Sequence, residues 1–303
     1  MRVPGSGPRM SESVRTTSGP GIGSVTEKVA RFRTAFLERI RSAKFELPLL
    51  PEAAQRVIQA TADEKCDARQ LGELIRRDAA MAGHVLRMAN SALYAPTTPI
   101  VSLQQAVSRL GMKKIREIAL LIATQTKAFR VAGCDTQVRA TFRHSLATAA
   151  YGQEVARLRR WNVEDAFLAG LLHDAGKPVL WQLLVDVQKE QGIGVEAGLV
   201  EDIVEQMHAG VASQLVESWK LPERLAETIA HHHRPREAPS ATQAAMVLAL
   251  ADDLAHFAVG PREVTEEALR AHPMLEPLNV YRDELETLLK CKEAVKTMAE
   301  TLL

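Results

Sequence analysis

Cysteines and long apolar runs are scarce in this chain of 303 residues. The three cysteines, Cys66, Cys134 and Cys291, are isolated and form no C-x-x-C pair. This argues against a disulfide scaffold or a thiolate zinc site and favours a reducing compartment, so we expect a cytoplasmic protein. The longest apolar runs, at 118–123 and 244–251, are far shorter than the ~20 residues that span a bilayer. We therefore expect no membrane association.

Aromatic residues and net charge are also low. Aromatic residues make up 4% of the chain, and 38 basic residues balance 37 acidic ones to a formal net charge of +1. The near-zero charge argues against nucleic-acid binding by bulk charge. The chain is instead rich in Ala and Leu, which favour helices, whereas strands prefer β-branched and aromatic residues. Because no segment shows strand alternation, we predict an all-α fold.

Changes in composition along the chain divide it into segments. Glycine, serine and proline dominate residues 1–24, which cannot bury enough apolar surface to become ordered. A capping box at Ser24–Glu27 opens the first helix, and Gly133-Cys-Asp135 separates two helical halves. We predict a disordered tail at 1–24, an N-terminal helical lobe at 25–133, a second helical lobe at 134–260 and a C-terminal helical extension at 261–303.

Capping residues indicate individual helix boundaries. Asp67 with Gln70, and Ser102 with Gln105, match N-cap patterns, and the helix from Ser102 is expected to end near Gly111. Gly176-Lys-Pro178 is expected to end the helix that Asn162 begins. Further helices are predicted near 136–159, 179–191, 196–207, 209–219, 222–232, 240–257 and 283–303.

The chain has nine histidines, and the aspartates that accompany some of them indicate a candidate metal site. His173-Asp174 ends an apolar helix, and adjacent helical residues point about 100° apart. Both can therefore reach one ion only if other helices bring further ligands over the same end. Imidazole and carboxylate ligands suit Zn, Mn, Fe or Ni in a mono- or dinuclear hydrolytic site, where Lys177 would hold a phosphate. The candidate ligands are His144, His208, the run His231-His232-His233, and Asp252 or Asp253.

The same residues also allow a structural interpretation. His232 and His233 could cap a helix C-terminus, where the helix dipole favours imidazolium. Asp174 could hydrogen-bond His144 or His208 in a polar cluster without metal. The remaining expectations are ordinary surface or core positions for His84, His256 and His272, and a solvated helix end for the basic cluster Arg157-Leu-Arg-Arg160.

Short motifs follow one another in a fixed order across residues 45–258. The first half contains Leu47-Pro-x-Leu-Pro51, Leu74-Ile-x-x-Asp78, Leu86-x-x-Ala-Asn-Ser91, Ile100-x-Ser-Leu-x-x-Ala106 and Leu110-Gly111. The second half contains Phe142-Arg-His-Ser145, Ala166-Phe-x-x-Gly-Leu-Leu-His-Asp174, His208-Ala-x-Val-Ala-x-x-Leu215, Trp219-x-Leu-Pro222, His232-His-Arg-Pro235 and Leu250-Ala-Asp252. His173-Asp174-Ala-Gly-Lys177 is similar to the signature of the HD phosphohydrolase superfamily. The full ordered set resembles the HDOD branch of that superfamily.

This resemblance implies a two-lobed helical HDOD domain whose second lobe is an HD-type helical bundle. For most members it also implies a role in bacterial signal transduction through protein–protein contacts, without catalysis, so we expect a signalling protein as partner. The metal-ligand order of active HD hydrolases is nevertheless matched here, with Lys177 also present. The matching residues are His144, His173, Asp174, His208, His232, His233 and Asp252.

Three functions therefore stay open. The first is a non-catalytic regulatory module, and the second is a metal-dependent phosphohydrolase acting on a nucleotide or phosphodiester. The third is a nucleotide sensor that uses a degenerate HD site. Arg234-Pro-Arg-Glu-Ala-Pro239 follows the histidine run where HD-GYP proteins have Gly-Tyr-Pro, so cyclic di-GMP phosphodiesterase activity is not implied.

Overall fold

The computed structural model describes residues 32–40, 42, 45–90, 98–126, 129–192, 197–260 and 262–302. The predicted tail at 1–24 and the capping box at Ser24–Glu27 lie outside these ranges. Every regular element within them is a helix and no strand occurs there, which confirms the all-α prediction. None of the helices in this part of the chain is both long enough and apolar enough to cross a membrane.

The helices follow one another through short connections. The first five are α1 (32–40), α2 (Glu52–Ala62), α3 (Ala68–Arg76), α4 (Ala79–Ala89) and α5 (Leu103–Thr124). The next six are α6 (Asp135–Leu158), α7 (Val163–Leu172), α8 (Gly176–Gln191), α9 (Ala197–Ser218), α10 (Glu223–Ala230) and α11 (Thr242–Val259). The last three are α12 (Glu266–Arg270), α13 (Arg282–Lys290) and α14 (Lys292–Thr301), and a 3₁₀ turn at Pro235–Glu237 precedes α11.

The first lobe consists of α2 to α5 around an apolar core. The Asp67 carboxylate accepts from the Gln70 backbone N–H at 2.7 Å, and the Gln70 side chain accepts from the Asp67 N–H at 3.1 Å, so the predicted capping box is confirmed. Asn90 hydrogen-bonds the Ile100 backbone in both directions, at 2.8 and 2.7 Å, and so fixes the end of α4 near the start of α5. The core side chains include Val57, Leu71, Ile75, Met81, Val85, Val107, Ile115 and Ile118.

Helix α5 belongs to both lobes. Gly111 has φ 79° and ψ 162°, a conformation that essentially only glycine adopts, so the predicted helix end is a kink inside α5. Beyond the kink, Ile115 and Ile118 pack in the first core. Leu120 and Leu121, on another face of the same stretch, pack in the core of the second lobe.

The second lobe is organised around α6, against which α7 and α11 pack. Helix α9 is one continuous helix, so the predicted break near Ala209 is wrong. The helix continues through this point because Val204 and Val211 on either side pack into the same core. The single helix predicted near 283–303 is also wrong, since α13 and α14 meet at Cys291.

Both ends of the described chain pack into the second core. Phe32 and Phe36 of α1 lie there, beside side chains of α6 to α11. From the C-terminal extension, Leu285, Leu288 and Val295 join the same core. The lobe boundaries at 133 and 260 stay predictions, but the second core recruits residues from outside 134–260.

Arg159 corrects the expectation that the Arg157–Arg160 cluster is a solvated helix end. Its guanidinium donates to the Leu278 carbonyl at 2.9 Å, to the Asn279 carbonyl and to both oxygens of the Glu284 carboxylate. Its side chain is 14% exposed. Arg159 therefore fastens the C-terminal extension to the end of α6.

Candidate functional site

The seven residues predicted as metal ligands come together in one place, which we call the His/Asp cluster. They arrive from five elements, because each lies at a helix end or on the inner face of a helix in the second lobe. Helix α6 provides His144, the end of α7 provides His173 and Asp174, α9 provides His208, the turn after α10 provides His232 and His233, and α11 provides Asp252.

Close packing of α8 on α9 brings two of these elements together. The sequence predicts that Gly176-Lys-Pro178 ends a helix, but α7 ends at Leu172 and Gly176 instead begins α8. A Cβ atom at Gly176 would lie 2.2 Å from the His208 carbonyl oxygen. Glycine is therefore required here, because any side chain would push α8 away from His208.

The two carboxylates of the cluster contact different imidazoles but share His173. Asp252 Oδ1 lies 2.7 Å from His144 Nε2 and 3.4 Å from His173 Nε2. Asp174 lies 3.3 Å from His208 Nε2 through Oδ1 and 3.6 Å from His173 Nε2 through Oδ2. Burial alone would raise both carboxyl pKa values, but the surrounding imidazoles, joined at Asp174 by Lys177, hold them well below the usual range. Both acids are therefore ionised at neutral pH.

Backbone carbonyls fix the orientation of three imidazoles. Nδ1 of His173 donates to the Gly170 carbonyl at 2.8 Å, Nδ1 of His208 to Val204 at 3.1 Å, and Nδ1 of His232 to Ile229 at 2.7 Å. Because a carbonyl oxygen can only accept, the proton of each neutral ring is on Nδ1. Nε2 of His208 and of His232, whose pKa values are lowered by burial, then directs a lone pair into the cluster, which is the tautomer of many metal-ligating histidines. Burial opposes a charge on His173, but Asp174 and Asp252 raise its pKa above the ordinary value.

The Nε2 atoms of three imidazoles meet at short range in the cluster. His208 Nε2 lies 3.4 Å from His232 Nε2 and 3.1 Å from His233 Nε2. Burial lowers the pKa of all three imidazoles, most strongly for His232, where nearby histidines add to the effect. His208 and His232 both have the proton on Nδ1, so their Nε2 lone pairs face each other and repel unless a cation lies between them. The donor set therefore fits a divalent ion bound by nitrogen and oxygen ligands.

Three overlapping triads in the described residues bring their ligand atoms within 4.8 Å of one another. They share His173 and His232, so the cluster is continuous. Six of its seven members are buried, and His233 is the exposed one. The triads are His144–His173–Asp252, His173–Asp174–His232 and His208–His232–His233. That these residues bind a metal stays a prediction.

Lys177 borders the cluster but is already engaged. Its ammonium lies 3.1 Å from Asp174 Oδ2 and 2.9 Å from Glu205 Oε1. Burial opposes its charge, but the two carboxylates raise the pKa of Lys177 above its usual range. The side chain is therefore a fixed cation in a buried ion pair.

His256 lies beside the cluster, although the sequence predicts an ordinary position for it. Its ring centroid is 4.2 Å from that of His144, and its Nε2 is 3.8 Å from Asp252 Oδ1. Burial, with His144 nearby, lowers the pKa of His256 to about 4. Its position four residues after Asp252, one turn along α11, could have indicated that it lies on the same face of the helix. His231 and Asp253 have other partners, since His231 Nδ1 donates to the Glu227 carbonyl and Asp253 pairs with Arg262.

A family comparison agrees with this arrangement. The model of the HDOD domain matches residues 47–235, more than half of the chain. The chain belongs to the HDOD domain family. The match includes α2 to α10 and six members of the cluster, and Asp252 lies just beyond it. The two-lobed helical HDOD architecture predicted from the motifs is therefore confirmed.

Relatives and solved structures extend the comparison over a longer part of the chain. An uncharacterized protein of Treponema pallidum (strain Nichols) is 23% identical over 205 residues, which is 64% of this chain and 39% of that protein. The chain thus spans about two fifths of the length of this relative.

Two crystal structures share the fold. A protein of Shewanella amazonensis SB2B, described as a candidate metal-dependent phosphohydrolase, has a TM-score of 0.70 at 19% identity, covering 90% of this chain and 99% of that one. A protein of Marinobacter aquaeolei VT8, described as a candidate signal transduction protein, has a TM-score of 0.64 at 23% identity, covering 92% and 66%. At these identities the likeness establishes the fold that HDOD proteins share.

Proposed function

We propose that this protein is a regulatory HDOD module of a signal-transduction system that acts through contacts with a protein partner and turns over no substrate. The main support for this proposal is that the His/Asp cluster is buried. Six of its members are at most 8% exposed, and Lys177 is held by two carboxylates. Phosphoester hydrolysis needs room beside the reacting phosphorus and free donors for its oxygens.

The fold comparison supports the regulatory proposal. The Marinobacter aquaeolei structure described as a candidate signal transduction protein covers 92% of this chain. Among the described residues, a cavity of about 190 Å³ in the second lobe and a groove of about 700 Å³ between α5 and the α6–α7 junction are both lined by residues outside the cluster. Other molecules can therefore reach these cavities and the surfaces of the lobes more easily than they can reach the buried cluster.

A metal has a structural role in this proposal. His173, Asp174, His208, His232 and His233 would hold a divalent ion of Mn, Fe, Zn or Ni, with His144 and Asp252 next to them. When bound, such an ion supplies the positive charge that the facing Nε2 lone pairs lack, and it can act as a Lewis acid toward water. The chain's own residues orient the imidazoles through backbone carbonyls and exclude solvent from the cluster.

A metal-dependent phosphohydrolase acting on a nucleotide or phosphodiester is the second candidate. The inward Nε2 atoms favour it, because this orientation suits ligation and the Shewanella amazonensis structure is described as a candidate metal-dependent phosphohydrolase. In that case Lys177 would have to leave Glu205 to contact a phosphate. Glu205 is 59% exposed, so this contact is the weaker of the two that hold the lysine.

Metal content is the first measurement. Elemental analysis of the full chain, purified without chelator, is expected to find a transition metal in the wild type and to lose it in His208→Ala. His231→Ala is the matched control, since His231 is in the same histidine run but bonds to the Glu227 carbonyl. If the wild type holds no metal after incubation with Mn, Fe, Zn or Ni, the structural role of the metal is wrong.

Turnover and partner capture then separate the two candidate functions. The metal-loaded chain is expected to hydrolyse ATP, GTP and bis-p-nitrophenyl phosphate no faster than His208→Ala does. Metal-dependent turnover that His208→Ala abolishes would replace the regulatory proposal with the hydrolase. Cross-linking of the full chain in native lysate is expected to return the same protein in independent captures. Repeated captures without a specific partner would contradict the regulatory proposal.

A further inference from the structure

A groove of about 700 Å³ lies between the two lobes, away from the His/Asp cluster. The second part of α5 forms one wall, and the end of α6 with the start of α7 forms the other. Charged side chains on both walls dominate its lining. They are Lys113, Lys114 and Glu117 on α5, and Arg157, Arg160 and Glu164 on the other side.

Ion pairs already neutralise the carboxylates of the groove. The Glu117 carboxylate is buried, pairs with Lys114 and accepts from Gln153 at 3.2 Å. Glu164 is also buried and accepts from Arg116 at 3.0 Å. Each acid therefore has a cation of its own before any ligand enters.

The groove also contains basic side chains that these ion pairs do not neutralise. The Lys113 side chain is 78% exposed, and its ammonium lies as far as 3.8 Å from the Glu164 carboxylate, which Arg116 already neutralises. Arg157 pairs with Glu154 on the solvent side of α6, an interaction that contributes little. The Arg160 side chain forms no hydrogen bond or ion pair with the described residues, and its backbone φ of 54° is a left-handed conformation that costs a non-glycine residue energy.

An aromatic ring and free amide groups complete the lining. Trp161 is half-buried and contributes to the groove wall directly after Arg160. Among the described residues, the side-chain oxygen of Gln153 and the side-chain nitrogen of Asn162 form no hydrogen bond, although the other polar atom of each amide does. A planar heterocycle can stack on an indole, while amides hydrogen-bond its edge. The volume lies within the range of small-molecule sites.

We propose that this groove binds a nucleotide, with the phosphates at Lys113, Arg157 and Arg160 and the base on Trp161. The groove shares no residue with the His/Asp cluster. Because one wall is the second part of α5, which packs in both cores, and the other is the α6–α7 junction, a bound nucleotide would hold α5 against α6 and α7. Binding here would therefore act on the relation between the lobes and not on the metal ligands.

Calorimetric titration of the full chain with ATP, GTP and pyrophosphate tests the proposal. At least one nucleotide is expected to bind more tightly than pyrophosphate, and Lys113→Ala/Arg160→Ala should weaken that binding by about tenfold or more. Lys220→Ala/Lys296→Ala is the matched control, because both lysines are exposed and Lys220 also has a left-handed φ of 55°. The control should keep wild-type affinity.

Two further variants distinguish nucleotide binding in the groove from binding at the His/Asp cluster and from attraction by charge alone. Trp161→Leu should weaken nucleotide binding but not pyrophosphate binding, and His233→Ala, in the exposed member of the cluster, should leave nucleotide affinity unchanged. Circular dichroism melting curves establish that each variant is folded. The proposal is overturned if no nucleotide binds at concentrations on the order of 1 mM, if pyrophosphate binds as tightly as the nucleotides, or if His233→Ala rather than the groove variant removes binding.

Discussion

The two lobes of this HDOD domain have cores of opposite character. The core of α2 to α5 consists of apolar side chains such as Leu71 and Ile75. The core of the second lobe surrounds a group of buried imidazoles and carboxylates, including His173, Asp174 and Asp252. Close packing of apolar side chains stabilises the first lobe. The second lobe also depends on the pairing of its buried charged groups with one another.

This difference shows how the domain separates stability from chemistry. A buried carboxylate stabilises a protein only while its partners remain, because an unpaired buried charge is costly. The second lobe offsets that cost with a larger apolar core that includes α1 and the C-terminal extension. Substitutions in the two cores should therefore differ in size and in their effect on metal binding.

The largest effect is expected at Asp252. Asp252→Ala removes the acceptor of His144 and the neighbour of His173, and should lower the free energy of unfolding by about 4 kcal/mol, as breaking a buried ion pair does. Urea denaturation measures the change. Asp253→Ala is the control, because the adjacent Asp253 is 28% exposed and pairs with Arg262 and His272 outside the cluster. This substitution should cost about 1 kcal/mol. Equal losses in the two variants would contradict the special role of the polar core.

A somewhat smaller effect is expected in the apolar core. Leu71 is 0% exposed, and Leu71→Ala should lower the free energy of unfolding by about 3 kcal/mol through lost burial and a cavity. The metal content should stay at the wild-type level, because Leu71 is in the other lobe. Leu49→Ala, at a leucine that is 85% exposed, is the control and should change the free energy by less than about 0.5 kcal/mol. Loss of metal in Leu71→Ala would show that the two cores are not independent in this respect.

The smallest effect is expected where the C-terminal extension joins α6. Arg159→Gln should lower the free energy of unfolding by about 1–2 kcal/mol through the loss of charge-assisted hydrogen bonds. Hydrogen bonds from Arg159 lower the pKa of Glu284 below its ordinary value of 4.5. The unfolded state therefore binds the proton more readily, so this stabilisation is present above pH 4.5 and disappears as the pH falls through the lowered pKa.

Denaturation curves at several pH values test this interaction. The difference between wild type and Arg159→Gln should shrink below pH 4.5. Arg157→Gln should change the free energy by less than about 0.5 kcal/mol, since Arg157 forms only an exposed pair with Glu154. A difference that is constant with pH would show that Arg159 acts through its carbonyl contacts alone.

The sequence predicts helices and their caps well where the signal is local. Asp67 with Gln70, Ser102 with Gln105, and Asn162 all cap helices as their spacing indicates. Gly176 shows where local reasoning fails. A Gly-x-Pro sequence is typical of helix ends, yet here the glycine permits contact with His208 of another helix. That contact depends on tertiary packing, which the local pattern does not contain.

In the site, too, the sequence predicts some features and only the tertiary packing determines the others. The order of the histidines and aspartates predicts which residues come together, and the structure places His144, His173, Asp174, His208, His232, His233 and Asp252 in one cluster. Their spacing does not predict the pairing of Lys177 with Glu205, nor the approach of His256 to His144. It also does not predict that Arg159 contacts Glu284, 125 residues away. These contacts join helices that are distant in the chain, so only the packing determines them.

Helix α5 has a consequence for how the domain unfolds. Its residues Ile115 and Leu120 lie in different cores, and Arg116 between them bonds to Thr61 of α2 and Glu164 of α7. If either core unfolds, α5 loses the packing on one of its faces, and the other core loses part of the support that this helix gives it. The two lobes should therefore melt in a single cooperative transition, and a protease that cuts within α5 should leave neither half able to persist as a folded fragment.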